Sequence, residues 1–468
     1  MATTTQSEHP TPAHAGLRHV VVVGGGLAGL TAAIHAARTG APVTLLDARR
    51  ELGGRARTHE VGRPGEGSAL FNEGPHALYR GLAGAEVLAE LGVRPSGGKP
   101  PTPLWAEDGG GISLVPTTAG DLLRRGGISR ADMALVGTLV AVPGRRRVEP
   151  GMSMADWVEQ ATRRPDARRV LRMLTRVATY CHDLERISAD SAVAQLRAGA
   201  TSGVLYLDGG WARLVGALTD QALAHGVDIR RGVKVARVAV GPPLRVEVGP
   251  PLRVDVAGAG PHSVIDLHPD PATSLHATAV VIAGGGPGEV ARLLGDASPR
   301  AHGWAAAAEP VVATTLDLHL DRLPRPDRHL VFGLDRPLYF SAHTPSARLC
   351  DQGEVVHVMR NGPWSPSART EMEELCDIAQ PGWRDHVLAE RFGRSRVVAH
   401  DRPRPGGGAV GRPGVAVSDA PGVFVAGDWV GPEGLLADAA LTSGRAAGRL
   451  AATCVGTRVE VGVKGVPA

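Results

Sequence analysis

The sequence predicts an α/β chain: a parallel sheet and a small β-meander, interleaved with a mixed α+β cap. Three observations predict it. Continuous β-branched runs such as Val20-Val21-Val22-Val23 read as strands buried on both faces. Two such runs lead straight into glycine-rich turns and Ala-rich helices, at residues 24–29 and 427–434. Two long stretches, 96–204 and 301–394, lack those turns and carry helix and strand signals of their own.

The first strand is followed by Gly24-Gly25-Gly26-Leu27-Ala28-Gly29, a GxGxxG loop made by Gly24, Gly26 and Gly29. Gly24 allows the tight turn, Gly26 lets a pyrophosphate approach the backbone, and Gly29 lets helix pack on strand. The helix start at Leu27 and Ala28 then offers N–H groups to phosphate. The helix runs to Arg38 and stops at Gly40, and a second strand, 42–46, ends in Asp47. An acid about twenty residues past the loop suits a ribose diol. Strand, loop, helix, strand and acid fall in register, so a Rossmann-like dinucleotide domain is expected.

The next residues are Ala48-Arg49-Arg50-Glu51-Leu52-Gly53-Gly54-Arg55. Here the sequence resembles the flavoprotein superfamily of phytoene desaturases, protoporphyrinogen oxidases and flavin-containing amine oxidases, with phytoene dehydrogenase-like proteins nearest. The resemblance implies non-covalent FAD. It places Asp47, Ala48 and Arg49 at the adenosine end, and Gly53, Gly54 and Arg55 along the pyrophosphate, where a guanidinium fork suits a phosphate. The segment Phe71-Asn72-Glu73-Gly74-Pro75-His76 resembles the loop passing the flavin ring. Gly74 and Pro75 would lie close to it, and His76 is either a base or a residue that orders the loop.

Leu207-Asp208-Gly209-Gly210-Trp211 opens an amphipathic helix with Leu214, Val215 and Leu218 on one face. Strand 232–238 follows, with Val235 implied to pair with adenine. The stretch 241–248 recurs almost unchanged at 249–256, and reads as strands of the meander with a tandem duplication. Strand 279–283 and Gly284 return the chain to the parallel sheet. Finally Val423-Phe424-Val425-Ala426-Gly427-Asp428 is a buried strand ending in Gly-Asp, and a helix begins within 431–438. The resemblance gives Asp428 the ribityl and pyrophosphate region. It also aims the helix N-terminus at Gly434, Leu435, Leu436 and Ala437 towards the flavin pyrimidine, where positive potential suits a reduced flavin.

The cap carries substrate identity. Its first part (96–204) reads as mostly helical, with helices at 154–160, 167–180 and 191–198. Its second part (301–394) is mixed, with strands at 314–320 and 336–341 and a helix at 371–378. The FAD domain is therefore expected in three pieces, 17–95, 205–300 and 395–456, with tails at 1–16 and 457–468. Candidate pocket residues are the scarce aromatics and nearby polar groups: Tyr180, Tyr206, Trp304, Tyr339, Phe340, His343 and Trp429. Of these, Tyr339 and His343, with His76, are the catalytic candidates.

Composition narrows the chemistry. The 468 residues are 43% hydrophobic and 21% charged, as in an ordinary globular protein. A net charge of +4 with scattered arginine gives no nucleic-acid surface. Four dispersed cysteines make neither a metal site nor a disulfide framework and fit the cytoplasm. None lies between Cys376 and Cys454, so covalent flavin attachment is not expected. No apolar run reaches membrane-spanning length; stretch 134–142 leaves peripheral membrane contact open.

Of 51 basic residues only Lys99, Lys234 and Lys464 are lysine, so the segment where amine oxidases carry a flavin-side lysine holds none. Leu435 stands where many of them place an aromatic. The expected activity is removal of hydride from a C–C or C–N bond of a largely apolar small molecule, with O2 or another electron acceptor. A flavoprotein without net redox, an amine oxidase, and a non-catalytic binding protein on the same scaffold stay open.

Overall fold

The computed structural model describes residues 18–62, 67–74, 77–116, 128–142, 148–241, 243–249 and 274–455. Its centre is a parallel five-stranded sheet in the spatial order Asp228–Arg231, Val43–Asp47, Val20–Val23, Ala279–Ile282 and Val423–Val425. Apart from the exposed edge strand Asp228–Arg231, the strands are short apolar runs because helices or the meander cover both faces. On one face lie the helices Leu27–Ala37, Gly210–Ala224 and Leu436–Cys454. The other face packs on the helix Pro287–Leu294 and on an antiparallel meander of Val235–Ala239, Leu244–Val248 and Ser274–Ala277. Leu244–Val248 comes from the first copy of the duplicated stretch; nearly all of the second copy, 250–256, lies outside the described residues.

The first and last helices touch backbone to backbone. A methyl group added at Gly444 would fall on the Ala28 carbonyl oxygen, and one at Gly448 on that of Ala32. Residues from opposite ends of the chain thus share one side of the sheet.

A seven-stranded sheet forms the second body, in the order Val387–Ala399, Val311–Leu320, Glu354–Asn361, Leu338–Ala342, Leu330–Gly333, Leu104–Asp108 and Gly111–Val115. One face carries the helices Arg130–Ala141, Met154–Ala161, Pro165–Thr179 and Ala189–Thr201, and the other carries Ala368–Ala379. Its outermost strand, Val387–Ala399, runs through residue 394 without a break.

Two differences from the sequence reading have clear causes. The mostly helical segment 96–204 also contributes the hairpin Leu104–Asp108/Gly111–Val115, whose inner strand pairs in parallel with Leu330–Gly333. Its two-residue turn is Gly109-Gly110, both with positive φ (59° and 92°), a hairpin signal that helical periodicity elsewhere in the segment outweighed. The helix expected over 167–180 ends at Thr179, because Tyr180 turns left-handed (φ 59°) and caps it through its N–H to Arg176.

Candidate dinucleotide and substrate site

The glycine loop leaves the first strand at the carboxyl edge of the parallel sheet. Gly24 has φ +106° and its N–H donates to the Leu46 carbonyl at 2.7 Å; a Cβ there would strike Gly284, which crosses directly over it. Gly29 is closed as well, since its Cβ would fall on the Gly24 carbonyl oxygen. Gly26 is the exception. A Cβ there would meet only the Gly53 carbonyl oxygen, at 3.8 Å, so this face looks onto open space. Opposite it lie Gly53 (φ +111°) and Gly54 (φ +59°), tied in by the Gly53 N–H to Gly25 carbonyl bond of 2.8 Å. The two glycine loops, twenty-odd residues apart in sequence, face each other and make one open cradle.

Asp47 braces the cradle: its carboxylate accepts from the Gly25 N–H at 2.6 Å and the Arg49 N–H at 2.8 Å. Ala48 and Arg49 are exposed beyond it, and the Arg49 carbonyl takes the Gly232 N–H at 3.0 Å. Val235 is buried under the sheet, and its carbonyl accepts from the Arg292 guanidinium at 3.1 Å.

The far end of the cradle is ionic. Arg55 reaches Asp428 through two bonds of 2.6 and 3.1 Å, and His400 adds its N–H at 2.9 Å and its ring Nδ1 at 3.0 Å. Asp428 is 3% exposed. Burial opposes its ionisation, but Arg55 and His400 overcome it and hold the carboxyl far below the usual range. Gly427 beside it is clamped by the Ser443 hydroxyl, which contacts both its N–H and its carbonyl at 3.0 Å.

The buried Arg412 guanidinium donates to the carbonyls of Asp428 (3.0 Å) and Gly434 (2.9 Å), which fixes the turn into the last helix. That helix starts at Leu436, within the 431–438 window its sequence suggests, with Leu435 as an uncapped N-cap and Ala437 in its first turn. Its first N–H groups carry the positive end of the helix dipole.

The loop after Phe71 is anchored by Glu73, whose carboxylate meets His59 at 2.6 Å, Arg396 at 2.9 Å and Arg57 at 3.1 Å. Burial works against these partners, and the balance still lowers its pKa. Gly74 follows with φ +109°. Pro75 and His76 lie outside the described residues.

The chain has four tyrosines, and all four lie in one neighbourhood. The Tyr206 hydroxyl is 2.9 Å from that of Tyr339 and 3.0 Å from that of Ser341. Tyr79, Tyr180, Tyr206 and Tyr339 are close enough that charge on one raises the pKa of its neighbours, although burial is the main cause that keeps every phenol protonated. Charge on Asp438, in the first turn of the last helix, also acts on Tyr79. Asp438 is itself buried, accepts the Gly84 N–H at 3.2 Å, and is pushed up by that burial to about 7. The tyrosine cluster therefore lies near the start of the last helix.

His343 stacks on Tyr206 with ring centroids 3.8 Å apart and meets His357 edge-on at 4.5 Å. His357 in turn contacts Asp317 at 2.7 Å, and Asp317 contacts Arg391 at 2.7 Å, all buried apart from the half-buried arginine.

The candidate pocket residues thus divide. Tyr180, Tyr206, Tyr339 and His343 come together. Phe340 points through the opposite face of its strand into the core against Leu316 and Met372, as alternation requires for the residue between Tyr339 and Ser341. Trp304 and Trp429 pair edge-to-face with each other at 5.8 Å and line a separate cavity of about 300 Å³. Phe340, Trp304 and Trp429 are therefore outside the tyrosine cluster. Tyr79, Ser341, Asp438 and His400 were missed by sequence reasoning. With four tyrosines in the chain, tyrosine scarcity was a signal that could have found Tyr79.

The comparisons with known proteins agree with this geometry. A family profile described as an NAD(P)-binding Rossmann-like domain matches residues 22–91. No curated protein matches by sequence. Solved structures match over nearly the whole chain. An oxidoreductase from Methanosarcina mazei is 17% identical with TM-score 0.67, covering 91% of this chain and 98% of that one. A protein assigned as a protoporphyrinogen oxidase from Exiguobacterium is 17% identical with TM-score 0.63, over 93% and 99%. Cyclohexylamine oxidase from Brevibacterium oxydans is 14% identical with TM-score 0.60, over 94% and 98%. At these identities the likeness is one of fold, and the chain has the fold shared by this group of oxidoreductases.

Proposed function

We propose that the protein is an FAD-dependent oxidoreductase that removes hydride from a C–C or C–N bond of a largely apolar small molecule. The observation that carries this reading is the meeting of three separately encoded pieces. The open Gly26 face, the Gly53-Gly54-Arg55 turn and the Gly427-Asp428 strand end surround one place at the carboxyl edge of the sheet. A small side chain at any of these glycines would occupy the space or break the turn.

In this reading Gly26, Gly53 and Gly54 receive the pyrophosphate, Asp47 takes the ribose, and Arg55 balances phosphate charge while holding Asp428. Asp428 and the start of the last helix face the ribityl chain and the pyrimidine edge. Bound there, the flavin supplies the hydride acceptor. The chain's own part is positioning and exclusion of water: Glu73 fixes the loop that carries Gly74, and the neutral phenols orient substrate without delivering charge. Transfer of a hydride needs alignment more than a dedicated base.

The amine-oxidase variant is disfavoured by the absence of lysine from 235–463. The proposed division is a cofactor domain of 17–95, 205–300 and 395–456 around a cap of 96–204 and 301–394. The four free cysteines fit a reducing compartment such as the cytoplasm. Among the described residues no helix is long and apolar enough to cross a membrane.

The test is direct. Purified protein should be yellow, release FAD on heating, and bleach when dithionite is added without air. Recovery of colour on admitting air identifies O2 as an acceptor. A colourless preparation that takes up no FAD on incubation sinks the reading.

A further inference from the structure

The cavity of about 300 Å³ lined by Trp304 and Trp429 lies outside both the glycine cradle and the tyrosine cluster. None of the cradle glycines lines it, and neither do Asp47, Arg55 or Asp428. Three cations do, Arg300, Arg404 and Arg412, against one carboxyl, that of Asp401. Arg300, Trp304 and Ser418 also line an open groove beside Pro299 and Asp419, so the cavity is reached from the surface.

The fold leaves Arg412 incomplete. It is 7% exposed, and its terminal nitrogens donate to the carbonyls of Asp428 at 3.0 Å, Gly434 at 2.9 Å and Glu433 at 3.3 Å. Among the described residues its hydrogen-bond partners are all carbonyls, and its Nε has no acceptor. Arg402, equally buried, instead meets the Glu309 carboxylate. Taking a guanidinium out of water is costly unless an anion pairs with it. The indole Nε1 of Trp429, a residue 1% exposed, is a second buried donor of the lining without an acceptor among the described residues. A buried donor is expected to find an acceptor.

The acids nearby already have partners. Asp401 accepts from the Glu309 N–H at 2.8 Å and from Arg404 at 3.4 Å, and burial raises its pKa, which reduces the negative charge it presents. Asp419, in the groove, accepts from the Ser298 hydroxyl at 2.8 Å and the Arg300 N–H at 2.9 Å. The remaining excess of guanidinium favours an oxyanion and opposes an ammonium. The two indoles, edge to face at 5.8 Å, add a flat apolar wall suited to a ring.

We propose that this cavity binds a small aromatic carboxylate, whose ring lies against the indole pair and whose carboxylate supplies the acceptor that Arg412 and Trp429 lack. The site is separate from the one assigned to the substrate and does not depend on the flavoprotein reading. Because Arg412 also holds the turn that carries Asp428, the occupant sits behind the strand end of the cradle.

Benzoate, benzyl alcohol, benzylamine and acetate are each titrated into the full-length protein as purified, by calorimetry. Benzoate should bind at least about tenfold more tightly than each of the other three. Arg300→Gln and Arg404→Gln should each weaken benzoate by more than about threefold with flavin content unchanged. Arg412→Lys should weaken it about tenfold, and the first two variants decide the matter if that one does not fold.

Three results overturn the proposal. One is the alcohol, the amine or acetate binding as tightly as benzoate, and another is benzoate not binding at all. The third is Arg300→Gln and Arg404→Gln both leaving its affinity within about threefold, as they would for benzoate held in the substrate site. Flavin-free protein that binds benzoate and loses it in these variants upholds the anion site and defeats the flavoprotein reading alone.

Discussion

The glycine cradle and the tyrosine cluster lie side by side but are built by opposite means. The cradle is made of backbone: Gly24 and Gly29 are closed by their own neighbours, Gly26 is open, and Asp47 and Arg55 brace the loops through bonds of 2.6 Å. Its parts are short contiguous words, each of which sets its own turn. The cluster is made of side chains from residues 79, 180, 206 and 339, and neutral hydroxyls bond Tyr206 to Tyr339 and Ser341. In the proposed reading, a cofactor that is always the same molecule is met by backbone geometry. In the same reading, a substrate that must be selected is met by side chains that can change one at a time without disturbing the sheet.

Substitutions can break this contrast, beginning with the largest expected effect. Gly29→Ala places a methyl group on the Gly24 carbonyl and should cost about 3 kcal/mol or more, read as loss of soluble protein. Gly26→Ala has room and an ordinary extended backbone (φ −79°), so its melting temperature without ligand should not move. Its FAD retention should fall about tenfold or more, measured by flavin absorbance per mole of protein. Equal behaviour of the two variants would remove the distinction between closed and open glycines.

Arg55→Ala leaves the buried Asp428 carboxylate with only His400 and should destabilise the fold by about 3 kcal/mol in urea unfolding. It should also lower flavin content, since one side chain serves both tasks.

Asp438 gives a pH signature at the boundary between the two regions. Its pKa rises from an ordinary 3.8 in the unfolded chain to about 7 in the fold. Between those values the native state holds a proton that the unfolded state releases, so this group's contribution falls as pH rises from about 4 to 7 and then levels off. Asp438→Asn should flatten that slope and stabilise the protein at pH 8, by on the order of 4 kcal/mol at most. A denaturation series across that window checks it; parallel curves for the two proteins would show that Asp438 does not carry the dependence.

Tyr206→Phe is the mildest. Removing one hydroxyl from a triad should cost about 1 kcal/mol while leaving flavin content at the wild-type level. Loss of flavin in this variant would merge the two regions into one.

How much was legible follows from the same contrast. Val20-Val21-Val22-Val23, the GxGxxG loop and Asp47 could be read directly, because a buried parallel strand, a left-handed turn and a strand-end acid each have a local signature. The pairing of Arg55 with Asp428, 373 residues away, has none. Trp304 and Trp429 looked like pocket aromatics, and they do line a cavity, but one apart from the tyrosine cluster. Phe340 and Tyr339 are chain neighbours of similar size, yet strand alternation sends one into the core and the other into the cluster, and only the sheet register decides which.

Chain order, turn chemistry and periodicity were therefore enough for the dinucleotide half, down to individual glycines, since backbone conformation depends on residues a few positions apart. They also revealed that lysine is missing from 235–463 and that tyrosine occurs four times. That the four tyrosines converge, that burial keeps them neutral, and that the Gly109-Gly110 hairpin ties the first cap segment to the second are properties of packing. Burial and proximity arise only when segments hundreds of residues apart are brought together, and no local pattern in the chain records which segments those are.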